Sequence, residues 1–234
     1  MNLIQYLKTA TYPHTGTPVI ACLGDSVTHG AFECVEGSSS GCLFDFEAVY
    51  HARLRRMLLS VNPWLPVSII NAGVAGDTAP MGLARLERDV IAHKPHICVV
   101  GFGLNDVGEP VETYVSALRD IFTRLREAGI APILLTPSML NTYVHEDTVP
   151  QFRAYAAVTA AWHNSGHMDA YVEAARALAA DMGIPVADAY ARWKDMEAQG
   201  ADITACLANC INHPTRELHQ VFADVLMEVL DGEV

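Results

Sequence analysis

Residues 19 to 30 read VIACLGDSVTHG, an apolar run from Val19 to Leu23 that passes without a break into Gly24, Asp25 and Ser26. A run this short, with no polar face, is a strand buried on both sides, as in parallel sheets. Similar runs occur at Val67 to Asn71, Ile97 to Gly101, Ala131 to Leu135 and Val186 to Asp188. Gly, Pro or polar turn residues bound each of them.

Segments of helical period lie between these runs. Phe46, Val49, Tyr50, Arg53, Leu54, Met57 and Leu58 recur at steps of three and four, forming one stripe partly lined by an arginine stem. A second helix starts near Thr78, with Pro80 in its first turn and Leu83, Leu86, Val90 and Ile91 on one face. A third spans Pro110 to about Ala128 and a fourth Asp169 to Met182, closed by Gly129 and Gly183 in the left-handed conformation. The last, from about Thr215 to Leu230, turns Leu218, Phe222, Val225 and Val229 inward.

Alternation of strand and helix implies right-handed crossovers, hence an α/β fold with a parallel sheet and helices on both faces. No repeat, low-complexity tract or linker divides residues 1–234, so one domain is expected. Two long excursions, Ala31 to Asp45 and Thr136 to about Gly166, each follow a strand. They therefore fall at the carboxyl edge of the sheet, where open α/β folds bind ligands.

Composition narrows the partners. A chain of 234 residues, 51% apolar, buries roughly 70 to 75% of its unfolded surface, which excludes disorder as the main state. Its 15 Lys and Arg against 27 Asp and Glu leave a charge of -12 that repels a phosphate backbone, so no nucleic-acid partner is expected. No apolar run reaches the roughly 18 to 20 residues of a membrane span, so no membrane partner is expected either. The opening residues MNLIQYLKTATYPHTG hold no signal-peptide core, and the expected location is cytoplasmic. Of six cysteines, Cys22 and Cys98 belong to apolar runs, while Cys34 and Cys42 lie in a Gly/Ser-rich segment. Cys206, Cys210 and His213 lack the tight C-x2-C spacing of a zinc site, so neither metal nor cofactor is expected.

Chemistry-bearing residues cluster at the strand ends. Ser26 follows the first strand in a glycine-bearing turn, which presents a hydroxyl beside free N–H groups, or simply caps a helix. Asn71 to Thr78 and Gly101 to Asp106 supply glycine N–H groups and an Asn amide that can receive a developing negative charge, or serve as ordinary turns. His213, just before the last helix, can take a proton near neutral pH.

This ordered set resembles the GDSL, or SGNH, hydrolase family of esterases and lipases. Gly24, Asp25 and Ser26 match its first block, with Val27 where the short name has Leu. Asn71 to Thr78, the G-x-N-D stretch Gly103 to Asp106, and His213 with Pro214 look like the others, in family order. The resemblance implies a three-layer α/β/α sandwich with a five-stranded parallel sheet. It implies Ser26 as nucleophile, His213 as general base, and an oxyanion hole of Ser26 N–H, Gly76 N–H and Asn105.

The family's last block is usually D-x-x-H, and here Cys210 stands three residues before His213. A backbone carbonyl, the side chain of Asn209 or Asn212, or a remote acid such as Asp188 or Asp202 must orient the imidazole; a carbonyl or Asn is favoured. His29 follows Ser26 by three residues and is expected to point elsewhere. The expected activity is hydrolysis of a small acyl ester, an acetyl ester of a carbohydrate or another small alcohol. The alternative is a non-catalytic sugar-binding or interaction module on the same fold. Tyr143, His145, Phe152, Tyr155, Trp162 and His163 in the second excursion serve a sugar pocket, a core or a homo-oligomer contact.

Overall fold

The computed structural model describes residues 2–10, 16–37 and 41–232. The chain opens with helix α1 (Leu3–Thr9), then β1 (Val19–Gly24) and the single turn of α2 (Ser26–His29). A hairpin of β2 (Ala31–Cys34) and β3 (Cys42–Phe44) precedes α3 (Tyr50–Val61), β4 (Ser68–Gly73) and α4 (Ala79–Asp89). Next come β5 (Ile97–Gly101), α5 (Val111–Glu127), β6 (Ala131–Leu135), α6 (Arg153–Asn164) and α7 (His167–Met182). The chain ends with β7 (Val186–Ala187), α8 (Ala189–Ala198) and α9 (His219–Leu230).

Five strands form one sheet in the order β4-β1-β5-β6-β7, every pair parallel. The helices fall into two sets that pack among themselves, α1, α3, α8 and α9 in one and α4, α5, α6 and α7 in the other. Sheet and helix sets make the three layers. The middle strands are apolar on both faces: Ile20 to Leu23 and Cys98 to Val100 are fully buried. Among the described residues, no helix is long and apolar enough to cross a membrane.

After β1 the chain moves outward to β4 and then returns past β1 to β5, so the direction of winding reverses beside the carboxyl end of β1. Glycine is required at that end. Gly24 pairs in register with Gly73 on one side and Gly101 on the other. A Cβ on Gly73 would meet the backbone nitrogen of His29 at 2.2 Å, and one on Gly24 the carbonyl oxygen of Gly101 at 2.6 Å. The strand ends thus accept α2 directly against them.

Several elements differ from the sequence reading. The helix expected from Phe46 begins at Tyr50, because the Asp45 carboxylate accepts the N–H groups of Glu47 and Ala48 and makes a turn there. The last helix begins at His219, after turns at residues 215–218. The excursions are structured too: the first holds the β2–β3 hairpin and the second holds α6.

Candidate active site

Ser26 is the first residue of α2 and is buried at 4% exposure. The preceding Asp25 caps the turn, its carboxylate accepting the Val27 N–H at 2.9 Å, and Gly30 at φ 100 closes it. This sets the serine side chain at the sheet edge. His213 Nε2 lies 2.9 Å from Ser26 Oγ.

The histidine loop is shaped by one amide. Asn209 Oδ1 accepts the backbone N–H groups of Ile211, Asn212 and His213 at 3.0, 2.9 and 2.9 Å. Its Nδ2 donates to Asn212 Oδ1 at 2.9 Å, tying the two asparagine side chains to each other. His213 Nδ1 lies 2.8 Å from the carbonyl oxygen of Phe32, on β2. A carbonyl only accepts, so Nδ1 carries the proton and Nε2 turns its lone pair to Ser26.

Gly76 faces the serine from the loop after β4, at φ 86, a conformation suited to glycine. Among the described residues, the N–H groups of Gly76 and Ser26 have no acceptor. Asn105 donates one Nδ2 hydrogen to the carbonyl of Asp77 at 2.9 Å, leaving the other. Asp106 ties the loops together by accepting from Ala79 N–H and Gly103 N–H. Ser26, Gly76, Asn105 and His213 line one cleft of about 340 Å³, with Cys34, Cys42, Phe152 and Tyr155 also on its wall.

Residues 22–221 match the model of the GDSL-like lipase/acylhydrolase family. The chain belongs to that family. An acetylxylan esterase of Geobacillus stearothermophilus is 30% identical over 130 residues, 49% of this chain and 57% of the relative. The match thus spans little more than half of that relative's length. A crystal structure of an acetylxylan esterase from the same organism superposes with a TM-score of 0.67 at 24% identity, covering 94% of this chain and 96% of that one. An α/β hydrolase from the metagenome of Lake Arreo gives 0.67 at 24% identity, over 96% and 97%. Both likenesses show the fold.

Burial dominates the site's electrostatics. It holds His213 below the ordinary histidine value, against the opposing pull of the Phe32 hydrogen bond and nearby Cys34, Asp25 and Glu33. It pushes Asp25 up to about 7 and Asp106 up to about 6, although both carboxyls accept backbone N–H groups.

The other sequence candidates lie elsewhere in this GDSL-type fold. His29 Nδ1 accepts the Ala75 N–H at 3.2 Å, and its ring packs on Phe44. Asp188 accepts from Thr136, Arg176 and the Ala191 N–H, while Asp202 accepts from the Tyr143 hydroxyl. Of the aromatics in the second excursion, Phe152 and Tyr155 reach the cleft. Trp162 packs against Gly108 and His167 instead.

The sequence reading, which favours a carbonyl or Asn as the partner of His213, leaves two contributing residues unnamed. Phe32 acts through its backbone oxygen, which leaves no signature in residue type. Arg85, largely buried on α4, donates to Asp77 at 2.6 Å, to the carbonyl of Ala72 at 2.7 Å and to that of Gly24 at 3.0 Å. It joins the ends of β1 and β4 to the loop of Gly76. Its one trace in the sequence is Asp89, four residues on, which it also pairs.

Proposed function

We propose that this protein is a serine ester hydrolase that removes a small acyl group, acetyl foremost, from a carbohydrate or another small alcohol. One observation carries the reading: within a cleft, His213 links Ser26 Oγ to the Phe32 carbonyl through its two ring nitrogens. A neutral imidazole so held is a base aimed at a hydroxyl.

In this mechanism Ser26 Oγ attacks the ester carbonyl carbon while its proton passes to His213 Nε2. The carbonyl oxygen becomes an oxyanion received by Ser26 N–H, Gly76 N–H and the remaining Asn105 Nδ2 hydrogen. Collapse expels the alcohol, which takes the proton from Nε2 and leaves an acyl group on Ser26. Water, deprotonated by the same nitrogen, then releases the acid. The Asp77 carbonyl holds Asn105 in place, and Asp106 holds both loops.

The relatives support both the reaction and the substrate class. Structures of the Geobacillus stearothermophilus enzyme include two variants described as catalytic mutants, one replacing a serine and one a histidine by alanine. That enzyme's name specifies an acetylated polysaccharide. Phe152 and Tyr155 on the cleft wall offer ring faces to a sugar, and six unpaired cysteines suit a reducing cytoplasm.

The test is a series of aryl esters and acetylated sugars of increasing acyl length, run beside Ser26→Ala. Turnover should drop steeply beyond acetyl, and Ser26→Ala should lose roughly 10^4-fold or more. A preference for long chains would remove the deacetylase reading. Absence of turnover on every ester would favour the sugar-binding module.

A further inference from the structure

A carbonyl that orients a histidine stays in place only as well as its strand does. Phe32 lies on β2, whose strand partner among the described residues is β3 alone. Two-stranded hairpins are marginal by themselves, so the position of this carbonyl must be fixed from outside the hairpin.

Arg216 does this from the segment that carries His213, three residues further on. Its guanidinium makes a two-pronged contact with the carboxylate of Glu33, one prong at 3.1 Å, next to Phe32 on β2. Its Nε donates to Asp45 at 2.9 Å, just beyond β3. Its Cζ sits 4.5 Å from the centroid of the Phe32 ring, and the His219 ring contacts the same ring at 4.8 Å. The carbonyl of Arg216 accepts from Arg53 on α3 at 2.8 Å, anchoring the backbone that bears the guanidinium. One side chain thus grips β2, the residue that follows β3, and the residue whose oxygen faces His213.

We propose that Arg216 is a positioning residue for the reaction: through Glu33, Asp45 and the Phe32 ring it holds the Phe32 carbonyl on His213 Nδ1, taking over the task of the missing carboxylate. This rests on the Ser26–His213 reading above. The side chains of Arg216, Glu33 and Asp45 are 35%, 39% and 33% exposed, and ion pairs so open to water add little stability. A planar fork bound on both prongs does fix direction. The network therefore sets geometry rather than the melting temperature.

Arg216→Met, Arg216→Lys and Glu33→Gln are compared with the parent on an aryl acetate, in thermal melts, and in proton spectra of protein labelled with 15N-histidine. The imidazole Nδ1–H bonded to a carbonyl gives its own downfield resonance in the parent. Arg216→Met should lower kcat roughly 10- to 100-fold, short of the about 10^4 that disabling the orienting acid costs a serine-protease triad. KM should stay within about threefold, and the Nδ1–H resonance should shift or broaden. Arg216→Lys should recover part of kcat, because a point charge replaces the cation but not the fork. Glu33→Gln should act in the same direction, more weakly, with an almost unchanged melt; it decides the matter if Arg216→Met does not fold. Parent values of both kcat and the resonance in folded variants would overturn the proposal. If the parent hydrolyses no ester, the Ser26–His213 reading fails separately, and an unaltered resonance in the variants still overturns the positioning role.

Discussion

Phe32 and His213 are 181 residues apart in the chain and meet at 2.8 Å, carbonyl oxygen to Nδ1. In the proposed mechanism this hydrogen bond fills the place of an acid, so carboxylates elsewhere should be dispensable. Asp188→Asn and Asp202→Asn should keep kcat within about threefold of the parent, since one caps α8 and the other binds a tyrosine. Restoring the usual acid by Cys210→Asp should not raise kcat, because Nδ1 already has its acceptor. Steady-state kinetics decide this; a thousandfold loss in either Asn variant would make a remote acid the orienting group.

The pH profile follows from burial. Only the neutral imidazole accepts the serine proton, and burial holds His213 below the ordinary value of about 6.5. Protonation, and with it loss of activity, should therefore occur at lower pH than for a free histidine. The acid limb of kcat/KM on a neutral acetate should fall below about pH 6.5. A limb above that value would place the controlling proton on another group.

Arg85 joins three backbone segments of the site, and its loss should be felt in both folding and rate. Asp77 is 13% exposed and Arg85 10%, so removing the cation leaves a poorly solvated carboxylate without its partner. Breaking a buried pair in this way costs about 3 to 5 kcal/mol. Arg85→Met should lower the unfolding free energy by a large part of that, and lower kcat by displacing Gly76. A denaturant titration with an unchanged midpoint would count against this role.

Much of the fold was legible because buried parallel strands and amphipathic helices leave periodic traces in a sequence. The run from Val19 to Leu23 is apolar at every position because both faces of β1 are covered, and α5 stops at Glu127 because Gly129, just past its cap, takes φ 74. The β2–β3 hairpin was not legible: Ala31 and Phe32 are buried while Leu43 and Phe44 are exposed, it lies beside Gly and Ser, and its pairing is irregular between Ala31 and Cys34. Helix α8 buries few side chains, chiefly Ala189, Tyr190 and Trp193, so its stripe is faint. That Ser26, Gly76, Asn105 and His213 come together at one cleft was readable because their types and order match a family pattern. The Phe32 carbonyl was not, since every residue has one.

The cleft also carries an unusual thiol. Cys34 and Cys42 are register partners across the β2–β3 hairpin, both unpaired, and both line the cleft with Ser26 and His213. Interaction between these neighbouring thiols holds Cys42 below the ordinary thiol value and raises Cys34. Burial pushes Cys22 up to about 12 and also raises Cys98, Cys206 and Cys210. Thiolate is the reactive form, so at pH 7.5 Cys42 should react first with iodoacetamide, ahead of a free thiol near 8.5. Peptide mass spectrometry should find the first label on Cys42, and activity should fall in step, because the added group stands in the cleft. Cys34→Ala removes that neighbouring thiol and should slow labelling of Cys42 without touching Ser26 or His213. Faster labelling at Cys206 or Cys210, or full activity after Cys42 is labelled, would contradict this account of the cleft wall.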